Sequence, residues 1–153
     1  MPAPTCPGPL ARALRAALPA LALAFAGGPC AAAEAGSGPA FAARVFDRIN
    51  EVRLAQGLEA LVRDPHLEAL ALEHSMAMVE RGRPSHDGFQ DRFARVPASK
   101  LCVENVAAGY TQPRPLVDAW QAAPAHRQNL FEPRVRWLGV GSAGRYVTMF
   151  ACS

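Results

Sequence analysis

The chain of 153 residues contains no H-E-x-x-H and no C-x-x-C, so two short signatures of zinc chemistry are missing. It has no cluster of lysines and arginines, which removes the electrostatic footprint of nucleic-acid binding. It shows no internal repeat, and no unbroken apolar stretch of the roughly 20 residues that a membrane span needs. Residues 1–33 hold no aspartate or glutamate at all, and their only charges are Arg12 and Arg15.

What stands there instead is informative. Arg12 and Arg15 lead into an apolar run from Ala16 to Ala26, broken by Pro19. Gly27-Gly28-Pro29 and then Ala31-Ala32-Ala33 follow. A basic start, a short apolar middle and an A-x-A end describe a signal peptide over 1–33, cut after Ala33, and hence a secreted or periplasmic product. An uncleaved N-terminal anchor is the alternative. Lipidation at Cys30 is disfavoured, because Pro29 precedes the cysteine. The remaining residues 34–153 keep 14 of the 16 basic residues and all 13 acidic ones, so the apparent basicity belongs largely to the leader. A domain of that length buries one modest core.

Two of the four cysteines, Cys6 and Cys30, leave with the leader. Cys102 and Cys152 remain as an even pair in an oxidising compartment, which predicts a disulfide, with two free thiols as the alternative. The loop closed would be about 50 residues, a link that stabilises by roughly 4 kcal/mol in the chain-entropy account.

Residues 34–40 read as a linker. Phe41, Val45, Ile49 and Val52 then recur on one helical face, and Gly57 is a natural stop. Leu58–Val62 reads as a connecting segment. Asp64 is a good N-cap and Pro65 suits the first helical position of a second helix with the stripe Leu67, Leu70, Ala71, His74 and Met78. Residues 83–100 look irregular, with a turn at Asp87-Gly88 and one helical turn around Asp91–Ala94. Residues 101–109 are compatible with strand or loop. Pro113 and Pro115 open a third helix, Pro124 interrupts it, and a short turn of helix over His126–Leu130 follows. Trp137–Gly141 and Tyr146–Phe150 alternate as strands around Gly144 and predict an antiparallel hairpin. Helices first and strands last argue for an α+β domain.

Three tempting motifs fail on mechanism. Gly139-Val140-Gly141-Ser142-Ala143-Gly144 matches G-x-G-x-x-G, but a dinucleotide site needs a helix next, and a strand pattern follows. The same stretch is no nucleophile elbow, since Val140 stands where that motif needs glycine. Ser85-His86-Asp87 holds the triad residue types, yet adjacent side chains diverge and cannot form that relay. Among the histidines, His66 falls in a first helical turn and reads as solvated. His74 lies on an apolar stripe and reads as a satisfied core or boundary residue. His86 lies in a glycine-flanked irregular segment, and His126 follows a proline break. Glu104 sits between valines, so its carboxylate needs partners. Two histidines and a carboxylate suit a borderline metal such as zinc, although spacings of 18 and 22 residues are not diagnostic.

The ordered segments carry more weight. Ile49-Asn50-x-x-Arg53, Leu67-x-x-Leu70-Ala71 with His74 and Met78, Ser85-His86, Glu104-Asn105-Val106-Ala107, Trp120, His126-Arg127-x-Asn129-Leu130 and Gly139-Val140-Gly141 before a final aromatic strand run across residues 41–152. In that order they resemble the CAP superfamily, or SCP domain, in its compact bacterial branch. The resemblance implies a domain over 41–153 built as a three-layer α/β/α sandwich around a central antiparallel sheet, with a cleft formed by His86, Glu104 and His126. Many members carry a second cleft glutamate shortly after the tryptophan. Here Trp120 is followed by Gln121-Ala122-Ala123-Pro124, so that acid is missing, and Ala123 replaces a serine common before the proline.

The resulting expectation is an extracellular or periplasmic binding module, a monomer without a membrane span after cleavage. Its ligand class is open among lipid, sterol, glycan and cell-wall component, and His86 and His126 are candidate ligands for zinc or another divalent metal. The alternative is a metal-dependent hydrolase with Glu104 as general base. A purely structural or adhesive role is the third class.

Overall fold

The computed structural model describes residues 36–96 and 98–153, so the leader read over 1–33 lies outside the described residues. Helix α1 (Gly38–Ala55) buries Phe41, Val45, Ile49 and Val52, the stripe that the sequence spacing requires. It begins three residues before Phe41, so helix displaces the end of the linker expected over 34–40. Pro39 explains the early start: its φ is preset for a helix, and the N–H it lacks has no partner in a first turn anyway.

Leu58–Val62 is not merely a connector. Val62 and Arg63 form a two-residue strand, β1 (Val62–Arg63), that pairs in parallel with Trp137 and Leu138. Helix α2 (Pro65–Arg81) is bounded as its sequence indicates. The Asp64 carboxylate accepts the Leu67 N–H at 2.9 Å, and Gly82 closes the helix in the left-handed region. The short helix α3 (Phe89–Ala94) takes in the helical turn expected around Asp91–Ala94 and begins two residues earlier. Strand β2 (Cys102–Ala108), helices α4 (Pro113–Ala122) and α5 (Pro124–Leu130), and the hairpin β3 (Trp137–Ala143) and β4 (Tyr146–Cys152) complete the chain.

The sheet order is β1-β3-β4-β2. Strand β4 is antiparallel to both neighbours, and β1 adds a short parallel edge, so the expected antiparallel sheet is mixed at one margin. Every residue of β4 is buried, because both faces are covered. Val147, Met149 and Ala151 join α1 and α4 in the larger core. On the other face Phe150 and Cys152 pack with Leu67, Leu70 and Ala71 of α2, and Tyr146 with Met78. Thr148, also fully buried, is satisfied by the Ser75 hydroxyl at 2.9 Å. The result is the α/β/α sandwich.

The glycine pattern of β3 has a packing cause. A Cβ on Gly139 would overlap the main chain of Leu67 and Glu68, and one on Gly141 that of Ala71 and Leu72. The helix that crosses these glycines precedes them in sequence and packs on the strand, and no helix follows to hold a phosphate. Cys102 and Cys152 are directly opposed across β2 and β4 and form the disulfide. Among the described residues no helix is long and apolar enough to cross a membrane.

Candidate functional site

Strand β2 is the edge of the sheet on which the site is built. Its Glu104 side chain is only 1% exposed, so the carboxylate must be satisfied by protein. His86 Nδ1–H donates to Oε1 at 2.8 Å. Arg92 of α3 donates through Nε to Oε2 and through Nη2 to Oε1, both at 2.9 Å. This two-pronged guanidinium contact is the strongest geometry open to a carboxylate. Arg92 was missed at the sequence level. The signal available was one of three arginines in an aperiodic stretch, and Arg92 becomes meaningful only once α3 is laid beside β2.

The loop that presents His86 is held from several sides. Arg92 Nη1 donates to the Asp87 carbonyl at 2.8 Å, and the Asp87 N–H reaches the Ser85 hydroxyl. His74 Nε2–H donates to the Ser85 carbonyl at 2.7 Å. His74 is therefore satisfied in the core, as its place on the stripe suggests, but it also braces the site, with Nε2 lying 3.7 Å from Glu104 Oε1. Burial pushes the His74 pKa below the ordinary value, and this outweighs the opposing pull of Glu104. His66, by contrast, is exposed and donates to the Arg95 carbonyl, away from the cleft.

His126 comes from the opposite bank. Asn105, fully buried on β2, donates to the His126 carbonyl at 2.9 Å, and Asn129 donates to the Glu104 carbonyl and the Asn105 side-chain oxygen. These bonds pin α5 to β2 and explain why Glu104-Asn105 and His126-x-x-Asn129 occur together. The His126 pKa is lowered, first by burial and then by the nearby charge of His86. Its imidazole is thus neutral and able to ligate at neutral pH. Ala123 at the N-cap of α5 provides no side-chain cap, where a serine would. Gln121 turns to Asp118 on the surface of α4 and does not replace the missing second acid.

His86, Glu104 and His126 line one open pocket of about 350 Å³, together with Phe89, Cys102, Val103, Ala125 and Asn129. The structure therefore brings the three predicted residues together. Their donor chemistry is narrower than the sequence suggests. Both Glu104 oxygens are engaged, and among the described residues no group of three or more His, Cys, Asp or Glu is placed to hold a metal. The nitrogen donors left in this pocket are the two imidazoles, and Glu104 lies behind His86 as its hydrogen-bond acceptor.

This fold matches known proteins. The profile of the cysteine-rich secretory protein family, CAP, matches residues 46–152, and the chain belongs to that family. The uncharacterized protein YkwD of Bacillus subtilis is 30% identical over 108 residues, covering 67% of this chain and 42% of the relative. An extracellular SCP-domain protein from Bacillus anthracis superposes with a TM-score of 0.67 at 28% identity, over 72% of this chain and 39% of its own. An outer surface protein of Borrelia burgdorferi, at 21% identity and TM-score 0.65, shares the fold over 71% of this chain and 89% of its own. The chain thus spans about two fifths of the length of the two Bacillus proteins.

Proposed function

We propose that this chain is an exported CAP-domain binding module whose cleft takes one divalent cation of the zinc type through His86 and His126, and an extracellular ligand at the positions the cation leaves open. The observation that carries this reading is the convergence of the two imidazoles on one open pocket, with Glu104 bonded behind His86. Export is supported by the leader-like composition of residues 1–33, by a disulfide that suits an oxidising compartment, and by the extracellular relative from B. anthracis. The hydrolase reading is the weaker one. A general base needs a lone pair within reach of a cleft water, and the buried Glu104 oxygens face Arg92 and His86.

Calorimetric titration of the purified chain with zinc tests the proposal. Uptake with a stoichiometry near one is expected, and it should vanish in the His86→Ala/His126→Ala variant while the circular dichroism stays unchanged. Undiminished uptake in that variant refutes the shared site.

A further inference from the structure

We propose that Arg92 is the positioning residue that decides which atoms the cleft offers. It does so by holding Glu104 as a hydrogen-bond acceptor for His86 and keeping that carboxylate out of the ligand set. The inference rests on the reading of the cleft as a cation site, and it assigns a role to a residue outside the cleft lining.

Three observations converge on it. Arg92 is buried and spends all three of its guanidinium nitrogens locally: two on the Glu104 oxygens and one on the Asp87 carbonyl. The same side chain therefore fixes the carboxylate and the loop that presents His86. Glu104 Oε1 accepts from His86 Nδ1 at 2.8 Å while the His86 side chain stays 51% exposed. A carboxylate accepts and cannot donate, so this bond selects the Nδ1–H tautomer and leaves the Nε2 lone pair for the cleft. Third, α3 is clamped where Arg92 needs it. Phe89 packs edge-on against Phe150 of β4 at 6.1 Å, and Phe150 is the cross-strand partner of Glu104.

The chemical consequence concerns selectivity. Without the guanidinium, Glu104 would have lone pairs to turn toward the cleft, and the site would gain a hard oxygen donor beside its imidazoles. Oxygen donors favour manganese, calcium and magnesium, whereas imidazoles favour zinc, copper and nickel. Arg92 thereby makes this a nitrogen-only site.

The test uses the Arg92→Lys variant, which retains the charge but lacks the planar fork, and the Arg92→Met/Glu104→Leu variant, which replaces the buried pair by apolar side chains of similar size. The first readout needs no metal: the His86 tautomer from long-range ¹⁵N–¹H correlation spectra at a pH where the ring is neutral. The parent protein should show the Nδ1–H form almost exclusively, and both variants should lose that preference. The second readout is the ratio of manganese to zinc affinity. It should rise roughly tenfold or more in Arg92→Lys, the scale of outer-shell substitutions, and should not rise in the double variant, which has no carboxylate to release. A parent His86 in the Nε2–H form overturns the proposal, as does a folded Arg92→Lys protein with an unchanged tautomer. If the parent binds no zinc, the cation reading fails by itself, and the tautomer comparison still decides the role of Arg92.

Discussion

His74 shows how one buried side chain couples the site to the stability of the fold. It is 2% exposed, and its pKa lies below the ordinary histidine value because burial disfavours the charged ring. The unfolded chain therefore takes up this proton at a higher pH than the folded one. The stabilisation is fully present above the unfolded value of about 6.5 and is lost as pH falls from there toward the lower folded value. His126 shifts in the same direction. Urea midpoints should accordingly drop between about pH 7.5 and 5.5. The drop should be shallower in His74→Gln, whose amide can still donate to Ser85 without titrating. An equally steep drop in that variant would assign the pH dependence elsewhere. At this scale the need for partners at Glu104 was legible, since a carboxylate among valines announces it. The identity of the partner was not, because Arg92 carries no periodicity or spacing that points to β2.

Elements were legible where a local rule sets their ends. Asp64-Pro65 and Gly82 bracket α2 by capping chemistry, and Pro113 with Pro115 opens α4 while Pro124 opens α5. The exceptions have local causes too. Two residues of β1 are too few to show alternation, and the six residues of α3, with glycine at the N-cap, announce only its last turn. Gly139 and Gly141 belong to this scale, because they decide how closely α2 approaches the sheet. Gly141→Ala should cost about 3 kcal/mol or more, at the upper end for overpacking, since main-chain atoms of Ala71 and Leu72 would have to move. Guanidinium denaturation measures this directly, and parental stability in the variant would mean that α2 slides freely over β3.

For the molecule as a whole, the disulfide joins edge strand β2 to the central β4 beside the site-bearing segment. It closes about 50 residues of chain, including α4, α5 and β3, so its loss frees most of the C-terminal half in the unfolded state. Reduction, or Cys152→Ser, should lower the melting temperature by about 10–20 °C. A change of a degree or two would show that the paired strands hold the loop unaided. The cleft also exists only at this scale. His86 approaches from the loop before α3, Glu104 from β2 and His126 from α5, and each is held by bonds to another of these elements.

By itself, the sequence determined the α+β class, the main helices and the hairpin, the cysteine pair and the family with its three cleft residues. These follow from local capping, from periodicity and from the order of short segments. Only the tertiary structure decided the parallel edge strand, the reason for the β3 glycines and the Arg92 contact that occupies Glu104 beside His86. Those depend on which surfaces meet across the sheet, and distance along the chain does not encode that.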